Sequence, residues 1–350
     1  MTNIKPEETA PLLSICIPTF NRAQTLKSSL YMVCSQIEQQ QAVIDVVICD
    51  NASTDETRQI VQELKVKWPF IKYFRNSENI GLLRNIDRVV RCATGRLCWL
   101  LGDDDIIVPY ALEKIVNSIQ QIKNLDDFAF GCTNSFVVDP DGERFLHISD
   151  LHCHLKTQLL DRAGELFKHL DYHSVGHISR LIVSRRAWFE QDYEDRRNFE
   201  IFSFVRVLIR MSKGRTGFYI AAPIVGGRNK HSVAYYANHI PMALTIEFPE
   251  YDRLCQIELD LTVQEMLPMM RSRRNRTIRG ALKMLLFQHE YAPYLSYLRA
   301  GKFSLLSERI TIFLLCFVLL GKPWANWPRK FIEGRQSNPI SKDESLHKSI

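Results

Sequence analysis

Nine cysteines occur in the chain, yet no two form a Cys-x-x-Cys pair and no spacing among them repeats. That excludes a zinc ribbon and a disulfide-stapled scaffold. Cys16, Cys49, Cys98 and Cys132 fall inside expected strands, where a free thiol packs as a small hydrophobe and suits a reducing cytosol. His152-Cys153-His154 is followed by no second half at zinc-site spacing, so it reads as a plain loop or strand. No apolar h-region follows Lys5, and no signal peptide is expected. The apolar run at residues 310–320 (ITIFLLCFVLL) is 11 residues long, against the roughly 20 that a membrane-crossing helix needs. No motif of a nucleic-acid-binding fold accompanies the basic residues, which places nucleic acid last among acidic partners.

An apolar share of 46% is that of an ordinary globular protein. At 350 residues the chain can hold one large domain, or a domain with an appendage. The net charge of +6 is unevenly placed: residues 271–350 carry 15 Lys and Arg against 5 Asp and Glu, a net of +10, so the rest carries −4. That basic excess points to an acidic surface as a partner. The 310–320 run is flanked by Arg309 and Lys322, and Trp324, Trp327, Arg329 and Lys330 follow. This aromatic and basic edge favours a membrane-surface helix over a buried packing helix.

One stretch organises the rest. Trp99-Leu100-Leu101 reads as the end of a buried strand, breaks into Gly102-Asp103-Asp104-Asp105, and is followed by a helix opened by Pro109. Three adjacent carboxylates repel one another and call for a countercharge. Hard cations take oxygen ligands, and Mg²⁺ is commonly held by one or two carboxylates plus substrate phosphates. The expectation is a metal-diphosphate site, and the alternative is a solvated acidic turn.

Residues 1–11 read as a loose polar tail. Apolar runs at 12–18, 43–49, 71–74 and 96–101 read as strands, separated by helical patterns through Leu26, Leu30 and Val33, then up to about Lys67, then over 82–93. Thr94-Gly95 is expected to close the last of these with a left-handed glycine. Asp50 to Thr57 is turn chemistry entering a helix, with Asp, Ser or Thr as caps. The β-α-β-α order predicts a right-handed, doubly wound parallel sheet, whose ligands bind beyond the carboxyl ends of the strands. Thr19-Phe20-Asn21-Arg22, Asp50-Asn51 and the acidic triplet would share that edge. Further on, 109–122 reads as a helix, 128–133 and 136–138 as two strands, 177–183 as a strand, 201–211 as a helix and 218–225 as a strand. Between 189 and 200 lie five acids in a loop-like stretch.

The order of these motifs resembles the family 2 glycosyltransferases, which have a GT-A fold. The matching pieces are Ser14-Ile15-Cys16-Ile17-Pro18-Thr19-Phe20-Asn21-Arg22, then Val46-Val47-Ile48-Cys49-Asp50-Asn51-Ala52-Ser53-Thr54-Asp55, Asn79-Ile80-Gly81, Ala93-Thr94-Gly95, and the triplet with Pro109. The resemblance is strong over 12–125, weaker to about 240, and absent beyond. Within the family the triplet, Ser179-Arg180-Leu181-Ile182-Val183 and residues 219–228 look most like a bacterial surface-polysaccharide branch that includes abequosyltransferase-like enzymes of O-antigen assembly. The resemblance implies a GT-A domain over 12–240, a Rossmann-like, doubly wound, mostly parallel sheet. Its nucleotide half would span about 12–125 and its acceptor half about 126–240. A helical, basic, membrane-associated extension would follow over 241–335, then a tail over 336–350.

By the same resemblance, Thr19, Asn21, Asp50, Asn51, Arg84 and Asp104 would contact the nucleotide-sugar donor. Asp50 would accept a hydrogen bond from a base N–H, and Arg84 would touch phosphate. Asp104 and Asp105, with His231 as a late histidine, would ligate Mg²⁺ or Mn²⁺. Glu200 or Asp195 would serve as general base, in the same loop as Asp192 and Glu194. The implied reaction is an inverting hexosyl or deoxyhexosyl transfer to a glycan hydroxyl, on a lipid-linked acceptor at the cytoplasmic face of the plasma membrane. Three departures stand against the pattern. Gly102 occupies a position where the family often has Asp, Arg84-Asn85 comes two residues early, and the usual Glu-Asp of the acceptor loop has no clean counterpart. A non-catalytic carbohydrate- or membrane-binding relative is the alternative. A sugar nucleotidyltransferase ranks below it, because no Gly-rich basic loop follows the first strand.

Overall fold

The structure, a computed structural model, describes residues 10–139, 141–148, 155–191, 203–228, 248–271 and 273. Strands β1 (Leu13–Thr19), β2 (Ile44–Asp50), β3 (Ile71–Arg75) and β4 (Leu97–Leu100) alternate with helices α1 (Ala23–Ile37), α2 (Thr57–Lys67) and α3 (Leu82–Cys92). Every residue of β1 and β2 is buried, as expected of strands covered on both faces. Leu13, Ile15, Ile17, Val46 and Ile48 share one apolar cluster with Leu26, Leu30 and Val33 of α1 and Val61 and Leu64 of α2. On the opposite face α3 packs against β1 and β2, with Ile86, Val89 and Val90 buried outside that cluster. Each fully buried Leu, Ile or Val contributes about 1.5–3 kcal/mol. Packing of both faces thus fixes where these strands end, and therefore where the polar clusters stand.

Beyond β4 come β5 (Ile106–Ile107), helix α4 (Ala111–Gln120), β6 (Phe128–Val138), β7 (Phe145–Ile148), β8 (Gln158–Leu160), β9 (Leu181–Ser184) and β10 (Thr216–Arg228). They join one sheet in the order β3-β2-β1-β4-β9-β6-β10-β5, with β7 beside β6 and β8 beside β10. The parallel ladders, β1 with β2 and β4, β2 with β3, and β6 with β10, are each longer than any antiparallel ladder.

Three details differ from the sequence expectation. The strands expected at 128–133 and 136–138 are one strand, because Asn134 and Ser135 continue the pairing with β10 through a register shift. The strand expected at 177–183 starts only at Leu181. A 3-10 turn, Ile178–Arg180, precedes it, and its Ser179 hydroxyl reaches Asp105 of the acidic triplet. Gly95 is not left-handed, since the positive-φ glycines among the described residues are Gly81, Gly142 and Gly214. A Cβ at 95 would lie 2.6 Å from the Ser14 backbone nitrogen, so glycine is needed there for close approach to β1.

The chain forms two compact units, one comprising Met1–Lys230 with Arg253–Met269 and the other His231–Asp252 with Met270–Ile350. The whole sheet lies in the first. In the second, Arg273 is buried and makes a two-pronged pair with Asp252 at 2.9 and 2.5 Å. Among the described residues no helix is long and apolar enough to cross a membrane. The 310–320 run and the Trp324–Trp327 edge lie outside the described residues.

Candidate active site

The carboxyl ends of β1, β2 and β4 bring the three polar clusters onto one edge. Asp103 is buried, and its two oxygens are held by the Thr19 hydroxyl at 2.7 Å and the Arg22 guanidinium at 3.1 Å. The same Arg22 nitrogen reaches Asp104 at 2.8 Å. Asp105 is buried and accepts from the Ser179 hydroxyl on Oδ2, the oxygen that also meets His177 Nε2 at 3.0 Å. Ser29 donates to the backbone carbonyls of Asp103 and Asp105 at 3.1 and 3.2 Å, and Arg228 Nε donates to that of Asp104 at 3.0 Å. The three adjacent acids, from which a bound cation was expected, thus meet Arg22, Thr19, His177 and Ser179 within the protein.

Asp103 and Asp105 differ electrostatically. Burial pushes the Asp103 carboxyl up, against the opposing pull of Arg22 and the Thr19 hydroxyl, and Asp104 adds to the rise, leaving it at about 6. Burial would raise Asp105 too, but the His177 ring and the bonds from His177 and Ser179 outweigh it and hold that carboxyl below its ordinary value. The environment thus keeps Asp105 anionic and makes Asp103 the easiest of the two to protonate.

At the end of β2, Asp50 is fully buried. It accepts from the Ser53 backbone N–H at 2.8 Å and the Tyr73 hydroxyl at 2.5 Å, with Arg75 Nε 3.4 Å away. Burial, the bond to Asp50 and the Asp50 charge all raise the Tyr73 phenol, so it stays a donor. Asn51 is the hub of an amide network. It donates to Asn79 Oδ1 at 2.6 Å and accepts from Asn76 Nδ2 at 2.8 Å and the Ile80 backbone N–H at 2.9 Å. Asn85 joins through Asn76 and donates to the Cys49 carbonyl. Asn21 adopts a left-handed φ of 51°, which asparagine tolerates. Its backbone N–H donates to Ser53 Oγ and its side chain accepts from the Thr54 N–H, tying the loop after β1 to the loop after β2. A cleft of about 1050 Å³ opens beside these loops, lined by Asn21, Arg22, Thr54, Asp55, Arg58 and Gln62 among others.

Residues 14–191 match the family described as Glycosyl transferase family 2. The chain belongs to that family. It is 31% identical over 223 residues to an abequosyltransferase of Salmonella typhimurium, covering 61% of this chain and 66% of that protein. It is 29% identical over 112 residues to a GalNAc(5)-diNAcBac-PP-undecaprenol beta-1,3-glucosyltransferase of Campylobacter jejuni, covering 32% of this chain and 35% of that one. The chain thus spans just under two thirds of the length of the abequosyltransferase. Among solved structures it is similar to S. aureus TarS 1–349 in complex with UDP, at 15% identity and a TM-score of 0.48, covering 83% of this chain and 92% of that one. The fold is a GT-A-like α/β fold on its own strand order and on the family match, without weight from that superposition.

Within this family 2 chain, the structure brings together Thr19, Asn21, Asp50, Asn51, Asp104 and Asp105 of the residues named from sequence. Arg84 stands exposed in the first turn of α3 and takes part in none of the bonds above. Glu200, Asp195 and His231 lie outside the described residues. Among the described residues, no group of three or more His, Cys, Asp or Glu is set to hold a metal ion. Sequence reasoning missed Arg22 as the countercharge, and His177 and Ser179 as the partners of Asp105. Gly102 carried the signal. A Cβ there would lie 2.6 Å from Asp105 Oδ2 and 3.3 Å from Ser179 Oγ. The departure from the family's Asp at this position thus reflects a carboxylate folded back onto its own loop.

Proposed function

We propose that the protein transfers a sugar from a nucleoside-diphosphate sugar to a hydroxyl of a glycan acceptor, in the assembly of a bacterial surface polysaccharide. The observation that carries this is the meeting of Thr19, Arg22, Asp50 and the Asp103–Asp105 triplet at one sheet edge, in a chain of glycosyl transferase family 2. Asp50 would accept a hydrogen bond from the base, and its carboxylate is held in orientation by Ser53 and Tyr73. Thr19, Asn21 and Asn51 shape the floor on which the nucleotide would lie. Asp104 and Asp105 offer the hard oxygen donors that suit Mg²⁺ or Mn²⁺. Both partners of Asp105 bond Oδ2, so Oδ1 is clear of them. When bound, the cation supplies neutralisation of the negative charge that develops on the departing nucleoside diphosphate. The acceptor hydroxyl would attack from the opposite face in a single inverting displacement, its proton taken by a carboxylate within hydrogen-bond reach. Glu200 and then Asp195 are the residues proposed for that role, and His231 for a late metal contact.

The relation to a transferase described as acting on an undecaprenol-linked glycan supports a lipid-linked acceptor. The basic, aromatic C-terminal region supports contact with an anionic membrane from the cytoplasmic side. The test is turnover of a panel of nucleotide sugars by purified protein with Mn²⁺. At least one donor is expected to be hydrolysed or transferred, and Asp105→Ala is expected to abolish this with its circular dichroism unchanged. Full activity in Asp105→Ala would overturn the assignment. No turnover of any donor, with metal-independent glycan binding, would favour the non-catalytic reading.

A further inference from the structure

Arg22 is placed between two sites. One nitrogen of its guanidinium holds Asp103 at 3.1 Å and Asp104 at 2.8 Å. The same residue also lines the cleft that opens beside Asn21, Thr54 and Arg58. Its side chain is 50% exposed, so it is not locked in by packing and can leave one partner for another. The charges it neutralises include Asp104, one of the two carboxylates offered above to a divalent cation. A guanidinium and a divalent cation cannot both be close to Asp104 without mutual repulsion. A diphosphate, in contrast, accepts two hydrogen bonds at once from the planar fork of an arginine.

We infer that Arg22 is a built-in competitor of the metal that becomes a diphosphate ligand, so that cation and nucleotide bind with positive cooperativity set by this one side chain. Resting on the donor reading proposed above, this adds an order of events to it. Without nucleotide, a cation arriving at Asp104 must displace Arg22 from that carboxylate and leave the guanidinium with Asp103 alone, at the cost of one of its two ion pairs. With nucleotide, the displaced guanidinium moves onto the phosphates. Each ligand thereby raises the affinity of the other by the same factor, as linkage requires. Asp103 is left with the Thr19 hydroxyl, which keeps the loop in place through the exchange. The physical consequence is a site that ignores free Mg²⁺ or Mn²⁺ and fills when the donor arrives.

The test is Mn²⁺ binding to the full chain, read from the electron paramagnetic resonance signal of free Mn²⁺, alone and with saturating UDP, dTDP, GDP or CDP. Wild type is expected to bind Mn²⁺ alone weakly and about tenfold or more tighter with the nucleotide it accepts. Arg22→Met is expected to bind Mn²⁺ alone about tenfold tighter than wild type, and to lose a comparable factor of the coupling. Arg22→Lys keeps a cation at this point and is expected to restore weak binding of Mn²⁺ alone. Unchanged or weaker binding of Mn²⁺ alone in Arg22→Met, with the fold intact by circular dichroism, overturns the inference while leaving the donor reading standing. If wild type binds none of the four nucleotides, the donor reading fails. The comparison of Mn²⁺ alone between wild type and Arg22→Met still decides whether Arg22 competes with the cation.

Discussion

At the scale of single residues, the acidic triplet is three different groups, and its division depends on neighbours 72 to 84 positions away in the chain. Composition alone shows three acids at a strand end. It does not show that Asp103 belongs to Thr19 and Arg22 while Asp105 belongs to His177 and Ser179, because those contacts are made by the fold and leave no local pattern. Gly102 is where the arrangement is most exposed to test. Gly102→Ala puts a methyl only 2.6 Å from Asp105 Oδ2, and overpacking of this kind costs about 1–3 kcal/mol. The expected outcome is a lower Tm together with weaker Mn²⁺ and nucleotide binding, since Asp105 must turn. An unchanged Tm would mean that the loop yields freely. Ser179→Ala removes the acceptor of the Gly102 N–H, 2.7 Å away, and a donor to Asp105. Leaving buried polar groups unmatched costs about 1–3 kcal/mol, and denaturant unfolding measures it.

At the scale of elements, the loops after β1 and β2 act as one piece. Asp55 Oδ2 accepts from the Ala23 N–H at the start of α1, and its Oδ1 accepts from the Thr57 N–H and hydroxyl at the start of α2. The turn chemistry from Asp50 to Thr57 indicated an acidic or hydroxyl cap, but not that one carboxylate serves two helices. Burial pushes the Asp55 carboxyl up, yet the Thr57 hydroxyl and the Ala23 and Thr57 amides outweigh it and hold it below its ordinary value. A carboxyl depressed in the folded state stabilises fully above its unfolded pKa of about 3.9, and that contribution is lost as pH falls through the folded value. Asp55→Ala is therefore expected to cost about 0.5–2 kcal/mol at pH 7, as loss of a helix cap does. The gap to wild type should close in acid, below the ordinary carboxylate range. Thermal melts of both proteins from pH 7 downward check it, and a gap that stays constant with pH would sink the capping account. Asn21 belongs to the same piece. The sequence motif implied that Asn21 and Asn51 meet the nucleotide; in the structure the Asn21 side chain ties to the loop after β2 and that of Asn51 to the loop after β3.

At the scale of the whole molecule, the parallel half of the sheet was legible because fully buried strands leave unbroken apolar runs that end where the polar clusters begin. The return half was less so, since β5 is two residues long and β9 begins after a 3-10 turn bent towards Asp105. Thiols tell the same story of burial. Cys16, Cys34, Cys49, Cys98, Cys132 and Cys255 are all buried, and burial raises Cys34 to about 12. These six are expected to resist iodoacetamide at pH 8 in the native protein and to react fully in guanidinium, as peptide mass mapping would show. Charge is the remaining whole-molecule feature, with +10 in residues 271–350 against −4 elsewhere. An anionic bilayer attracts a basic segment by about 1 kcal/mol per Lys or Arg near the surface. Residues 1–270, net acidic, gain nothing from it, so binding should depend on the C-terminal region alone. Full-length protein is expected to float with vesicles containing phosphatidylglycerol and to be released progressively as salt shortens the screening length. A truncation at Gly301 should float far less. Equal flotation of the two proteins, or flotation of full-length protein indifferent to lipid charge, would reject the membrane proposal and leave the basic region to be explained by a different acidic partner.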